Sequence, residues 1–270
     1  MYSTWRAGTV RACAVVLAAG LTLAVSAGCG SAPRPGGPRG DPGAVRPGRS
    51  LARRAPVTAV AAARGCPAAP YGARMYAPGR SKTVALTFDD GPGRSTAAIL
   101  AILARYRIPA TFFNVGVAMA ARPWLVREEA GLGYVVGDHT WNHPHLTALP
   151  AARQAAELQE ASAEQRSIAG TVPCAFRPPY GNYDATTLRL AQLHRMSVWL
   201  WSADTLDWMA NGSGSSSWVQ RITGLAERGG VLPHPIVLMH NQAKGNPATV
   251  TALPAIIQFF RSHGYRFVAL

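Results

Sequence analysis

From Thr83 to Leu270 the chain repeats one pattern, a short apolar run, a polar turn and a stretch with helical periodicity. "TVALTF" precedes a helical stretch from Ser95 to Tyr106, "ATFFNVG" precedes Met119 to Ala130, and "YVVGDH" precedes Ala151 to Ala169. The alternation continues with "AFRPPY" and Ala185 to His194, "SVWLWSAD" and Ser217 to Arg228, "IVLMHN" and Thr249 to Ser262, and ends at "YRFVAL". Strands alternating with helices of about 10 to 20 residues call for parallel pairing through right-handed crossovers. Seven or eight such strands predict an α/β fold, a closed or distorted (β/α) barrel.

Five of the apolar runs end in chemically capable residues. They are Asp89 and Asp90, His139 with His143, Arg177 and Tyr180, Asp204 with Asp207, and His240. In a parallel barrel the carboxyl ends of the strands converge on one face, where active sites are built, so residues spread over the sequence would meet in one pocket. The adjacent carboxylates of "TFDDGP" are expected on opposite sides of their strand, one for a cation and one for a proton. In "HTWNH" the i, i+4 spacing of His139 and His143 predicts two imidazoles on one side of a helical turn. Joined to one carboxylate they make a His₂Asp set, and three protein ligands leave a position open, the signature of a catalytic rather than a structural zinc. His145, His194, His234 and His263 show no partner spacing and read as structural or exposed.

"TFDDGP", "HTWNH", "RPPYG", "DTLDW" and "VLMH" follow the order of five motifs in the polysaccharide deacetylases, the NodB-homology domain of carbohydrate esterase family 4. The chain resembles that family over residues 82 to 270. The resemblance implies a distorted (β/α) barrel and metal-dependent removal of acetyl groups from amino sugars, or from acetylated xylan in some members. By position it implies Asp90, His139 and His143 as ligands of a divalent metal, Zn²⁺ first, with Co²⁺ or Ni²⁺ also suited to the donor set. It implies Asp89 as the base acting on a metal-activated water, Arg177 as its partner, the backbone N–H of Tyr180 as oxyanion donor and His240 as the acid. Trp208 and Leu238 would line the pocket for the acetyl methyl. Either Asp207 or Asp204 could orient His240, and Asp207 is preferred because it adjoins Trp208. The expected substrate is an acetylated polysaccharide, peptidoglycan or a chitin-like polymer. The alternatives are an acetylxylan O-deacetylase and a non-catalytic glycan-binding lipoprotein. The domain is expected to act as a monomer.

The formal charge of +14 would suggest a nucleic-acid binder were it not so unevenly placed. Residues 1–82 hold 12 Lys/Arg and one acid, whereas residues 83–270 hold 15 Lys/Arg and 12 acids. Nothing in the basic segment interleaves aromatic with basic residues, so no nucleic acid is expected. Arg6 and Arg11 precede an uncharged apolar stretch ending in Ser26-Ala27-Gly28 before Cys29. Residues 1–29 therefore read as a secretory or lipoprotein-type signal, with Cys29 either lipidated as a membrane tether or lost on release. Residues 30–80 carry nine Pro and nine Gly and read as a disordered linker. Residues 81–270 form the catalytic domain, exported to the membrane surface, the cell wall or the medium. Cys66 and Cys174 then remain beyond the signal, and an exported protein with two leftover thiols is expected to join them as a disulfide.

Overall fold

The computed structural model describes residues 66–270. The signal reading of residues 1–29, Cys29 included, and the linker reading of residues 30–65 lie outside the described residues. The strands are β1 (Ala73–Arg74), β2 (Thr83–Gly91), β3 (Thr111–Asn114), β4 (Val135–Asp138), β5 (Ala175–Phe176), β6 (Ser197–Trp199), β7 (Ala203–Asp204), β8 (Ile236–His240) and β9 (Arg266–Phe267). They form one sheet in the order β1-β6-β5-β4-β3-β2-β8-β7, with β9 paired to β2, and every strand pair is parallel. The path is open between β1 and β7, so the barrel is distorted rather than closed. The segment after β1 runs along that opening, where Tyr76 bridges to Pro235 just before β8.

The helices are α1 (Thr96–Tyr106), α2 (Gly116–Ala121), α3 (Pro123–Gly131), α4 (Ala151–Ala169), α5 (Ala185–Leu193), α6 (Ser216–Arg228) and α7 (Pro247–Ser262). The helix expected over Met119 to Ala130 is two, broken at Arg122, whose φ of −140° and ψ of 57° are not helical. Proline disfavours the helical region for the residue before it and is well placed at the first helical position, so Pro123 ends one helix and starts the next. The run "SVWLWSAD" likewise divides into β6 and β7, which pair with different neighbours.

β2 is the central strand. Its successive side chains take opposite faces, as a pleated strand requires. Val84, Leu86 and Phe88 join Ile99 and Leu103 of α1 and Ile256 and Phe260 of α7 in the outer core. Ala85 packs inward with Phe113, Trp199 and Ile236. Thr87 and Asp89 continue that inner row, so the acidic end of β2 enters the barrel. Among the described residues no helix is long and apolar enough to cross a membrane.

The linker reading is corrected at its end. Residues 66–80 belong to the folded domain: Cys66 is buried, β1 pairs with β6, and a disulfide joins Cys66 to Cys174 with Cα atoms 5.2 Å apart. Pro- and Gly-rich composition reports a low local preference for structure, and here long-range links supply the order instead.

Candidate active site

The inner row of β2 and its neighbours β4, β5 and β8 bring the motif residues to one end of the sheet. Asp89 is 3 % exposed, and its Oδ1 accepts a hydrogen bond from Arg177 Nη1 at 2.7 Å. Arg177 follows β5 and is completely buried. It also donates to Thr87 Oγ1 (2.8 Å) and to the carbonyls of Trp199 (3.2 Å) and Leu200 (2.9 Å), and its guanidinium lies 4.3 Å from the Phe113 ring centroid. A buried charge needs pairing and partners for its donors, and this environment supplies a carboxylate and four hydrogen bonds.

Asp90 does not sit on the opposite side of the strand from Asp89. Its φ is +67°, and the pairing of β2 with β3 shifts register between Asp89 and Gly91. The strand's alternation ends at that irregularity, so both carboxylates approach His139: Nε2 lies 3.8 Å from Asp89 Oδ2 and 3.4 Å from Asp90 Oδ1. His143 Nε2 lies 3.1 Å from the same Asp90 oxygen.

The histidine pair is not on a helical turn either. Residues 139–143 form a loop beyond β4, with Thr140 at φ +68° and His143 at φ +61°. The loop is held by three sets of bonds: Asp138 Oδ1 accepts from Thr140 N, Thr140 Oγ1 accepts from His143 N within the loop, and Glu157 of α4 accepts from Asn142. His139 Nδ1 lies 2.6 Å from the Arg177 carbonyl, so it carries the proton and leaves Nε2 facing the carboxylates.

Ligand atoms of Asp90, His139 and His143 all lie within 4.8 Å of one another. Asp90 Oδ1 is buried without a hydrogen-bond donor, aimed between two imidazole nitrogens. A carboxylate oxygen and two such nitrogens converging on one point suit a divalent ion such as zinc. Burial alone would raise the Asp90 carboxyl, but the imidazoles of His139 and His143 hold it well below the ordinary carboxylate range.

On the other side of the site His240 ends β8, and its backbone pairs with Asp89. Asp207 accepts from His240 twice, from Nδ1 at 2.6 Å and from the backbone N–H at 2.9 Å, and takes a third bond from Thr249 Oγ1 at 2.6 Å. Burial would lower the imidazole's pKa, but the fully buried Asp207 carboxylate raises it to about 9. Asp204 instead accepts from Leu206 N and caps its own loop. The geometry thus pairs His240 with Asp207.

Tyr180 stands in a turn at φ +59°, its ring half out of the protein, with His143 edge-on at 4.6 Å and His145 stacked on it at 3.9 Å. His145 therefore has an aromatic partner that its spacing did not reveal. Trp208 is half exposed in the Asp207–Ala210 turn, and Leu238 is buried two residues before His240 on the same strand. Thr87, Glu157 and Thr249 were missed as supports of the site. Thr87 alone carried a signal, being a polar residue two positions before Asp89 on the same strand face.

The fold is an all-parallel, barrel-like sheet with its polar residues gathered at the carboxyl ends of its strands. Residues 76–199 match the family described as Polysaccharide deacetylase, and the chain belongs to that family. It is 32% identical over 195 residues to a peptidoglycan-N-acetylglucosamine deacetylase of Bacillus cereus, covering 71% of this chain and 70% of that protein. It is 34% identical over 194 residues to the peptidoglycan-N-acetylglucosamine deacetylase PgdA of Listeria monocytogenes, where the match takes in 70% of this chain but spans only 38% of the relative. Among solved structures, the Bc1960 peptidoglycan N-acetylglucosamine deacetylase superposes with a TM-score of 0.68 at 32% identity, over 74% of this chain and 91% of that one.

Proposed function

We propose that this protein hydrolyses the N-acetyl groups of an amino-sugar polymer, peptidoglycan first, releasing acetate and a free amine. The observation that carries the reading is the gathering of the Asp90, His139 and His143 donors with two carboxylate-containing pairs at one end of the sheet. One is Asp89 with Arg177 and the other His240 with Asp207, and Asp89 and His240 are register partners on adjacent strands.

Asp90, His139 and His143 would hold a divalent ion, and such an ion supplies Lewis acidity for the acetyl carbonyl and for the attacking water. Asp89, oriented by the hydrogen bond from Arg177, takes the water's proton. The backbone N–H of Tyr180 donates to the carbonyl oxygen as negative charge develops there. Trp208 and Leu238 enclose the acetyl methyl. His240 bonds Asp207 through Nδ1, which leaves Nε2 to protonate the departing nitrogen. An amine leaves poorly as an anion, so that proton is required.

The protein is read as exported, through a signal over residues 1–29, and as monomeric. A disulfide within the domain fits an oxidising compartment. Acetate release from peptidoglycan, chitooligosaccharides and acetylxylan, measured side by side, tests the substrate reading. Release from acetylxylan alone would overturn it.

A further inference from the structure

We propose that Glu157 is a positioning residue that fixes His143 for metal binding. The proposal rests on the reading of Asp90, His139 and His143 as a metal site.

His143 belongs to a loop without regular structure, and both it and Thr140 adopt left-handed backbone angles that cost a residue with a Cβ. Such a conformation persists only where surrounding groups over-determine it. The residue before His143 is Asn142, and Glu157 grips it with both oxygens. Oε2 accepts from the backbone N–H at 2.8 Å and Oε1 from Nδ2 at 3.2 Å.

Glu157 is 4 % exposed and forms no ion pair among the described residues. A buried carboxylate without a cation is costly, and its position facing a ligand-bearing loop gives it a use. The helix that carries it is the longest described and packs beside the sheet, so the carboxylate is anchored on a rigid element. Ser162 of the same helix bonds Asp138 Oδ2, the residue before His139. Helix α4 therefore reaches the chain next to each histidine, and Glu157 is its contact nearest His143.

The test is the affinity of the metal-free protein for Zn²⁺, measured by chelator competition, together with the ligand-field spectrum of the Co²⁺ form. Glu157→Gln keeps the volume but turns a donor toward one of Asn142's two N–H groups. It is expected to weaken Zn²⁺ binding about 10-fold, within the range known for groups that orient metal ligands, and to alter the Co²⁺ spectrum. Asn142→Ala leaves Glu157 in place and removes one of the two bonds, and a smaller loss of affinity in the same direction is expected. Glu160→Gln removes a neighbouring exposed charge and should change neither readout.

A folded Glu157→Gln protein with wild-type affinity and spectrum overturns the clamp. So does a lowered melting temperature without any change in metal binding, which would make Glu157 merely structural. Equal weakening by Glu157→Gln and Glu160→Gln would overturn it as well, leaving only a charge effect. If His143→Ala binds Zn²⁺ as tightly as wild type, the metal reading itself falls and the clamp with it.

Discussion

Asp89 and Asp90 are neighbours in the chain that share a histidine, yet their surroundings assign them different work. Asp89 meets a guanidinium, whereas Asp90 meets two imidazole nitrogens. Asp89→Asn is therefore expected to lower kcat by about 10²- to 10⁴-fold, the usual contribution of a general base, while metal analysis still finds the ion. Arg177 keeps its bonds to Thr87, Trp199 and Leu200 in that variant, so the site stays assembled. Asp90→Ala should lose both turnover and metal, and equal metal loss in the two variants would refute the division. The second residue-scale prediction concerns His240. An acid whose pKa is about 9 is protonated below that pH, so the alkaline limb of kcat/KM should fall near pH 9. Asp207→Asn removes the charge that raises the imidazole, and the limb should move toward neutrality. A limb left in place would show that another group sets it. The same pair bears on stability, with the sign fixed by the raised folded-state value. Its contribution is complete below the unfolded histidine's pKa of about 6.5 and is lost as pH climbs through about 9. These residues were legible because each chemical group ends an apolar run. The shared approach of both carboxylates to His139 was not legible, since it follows from one left-handed residue at a shift of register.

Strands buried on both faces read as continuous apolar runs, which is why β2, β3, β4 and β8 were visible in the sequence. The loop from His139 to His143 was misread as helical because i, i+4 spacing says only that a helix would align the side chains. Whether the backbone turns that way depends on contacts from α2 and α4. Gly116, which opens α2, donates to the Thr140 carbonyl, and Val117 donates to that of Trp141. The approach is close enough that a Cβ on Gly116 would lie 2.1 Å from Trp141 Cε3 and 2.9 Å from its Cα. The second contact is with backbone, so rotation of the tryptophan alone cannot relieve it. Gly116→Ala is expected to cost about 1–3 kcal/mol, as overpacking of a tight interior does, and to displace the loop. Denaturant unfolding reads the first effect and Co²⁺ affinity the second. A variant with wild-type stability and affinity would show that α2 does not brace the histidine loop. Gly93 makes a comparable approach at the neighbouring loop, where a Cβ would lie 1.9 Å from the Gln242 carbonyl oxygen. The turns beyond β2 and β8 are thus fitted to one another, a constraint that neither turn reveals alone.

Across the whole molecule, order extends further toward the N-terminus than composition suggests. Residues 66–80 share the Pro and Gly content of the segment before them, but three long-range links hold them: β1 against β6, Tyr76 against Pro235, and Cys66 against Cys174. Only the last could be anticipated, by counting thiols. The disulfide spans 108 positions and closes a loop containing β1, β2, β3 and β4, so it restricts the unfolded chain over more than half of the described domain. In the chain-entropy account a loop of that length contributes ~4–5 kcal/mol, and strain or residual structure commonly reduces the figure. For a domain of this size each kcal/mol moves the melting temperature by about 2–4 °C. Reduction, or Cys66→Ser with Cys174→Ser, should therefore lower Tm by about 10 °C in a calorimetric comparison with the oxidised protein. Turnover at low temperature should stay near normal, because Cys174 lies at the start of β5 and neither sulfur contacts Asp89, His240 or the metal-type donors. Loss of activity without loss of Tm would reverse that ordering and make the bridge part of the site. Two titratable thiols in the unreduced, unfolded domain of residues 66–270, whose cysteines are Cys66 and Cys174, would show that no bridge forms, and residues 66–80 would then depend on β1 and the Tyr76 bridge.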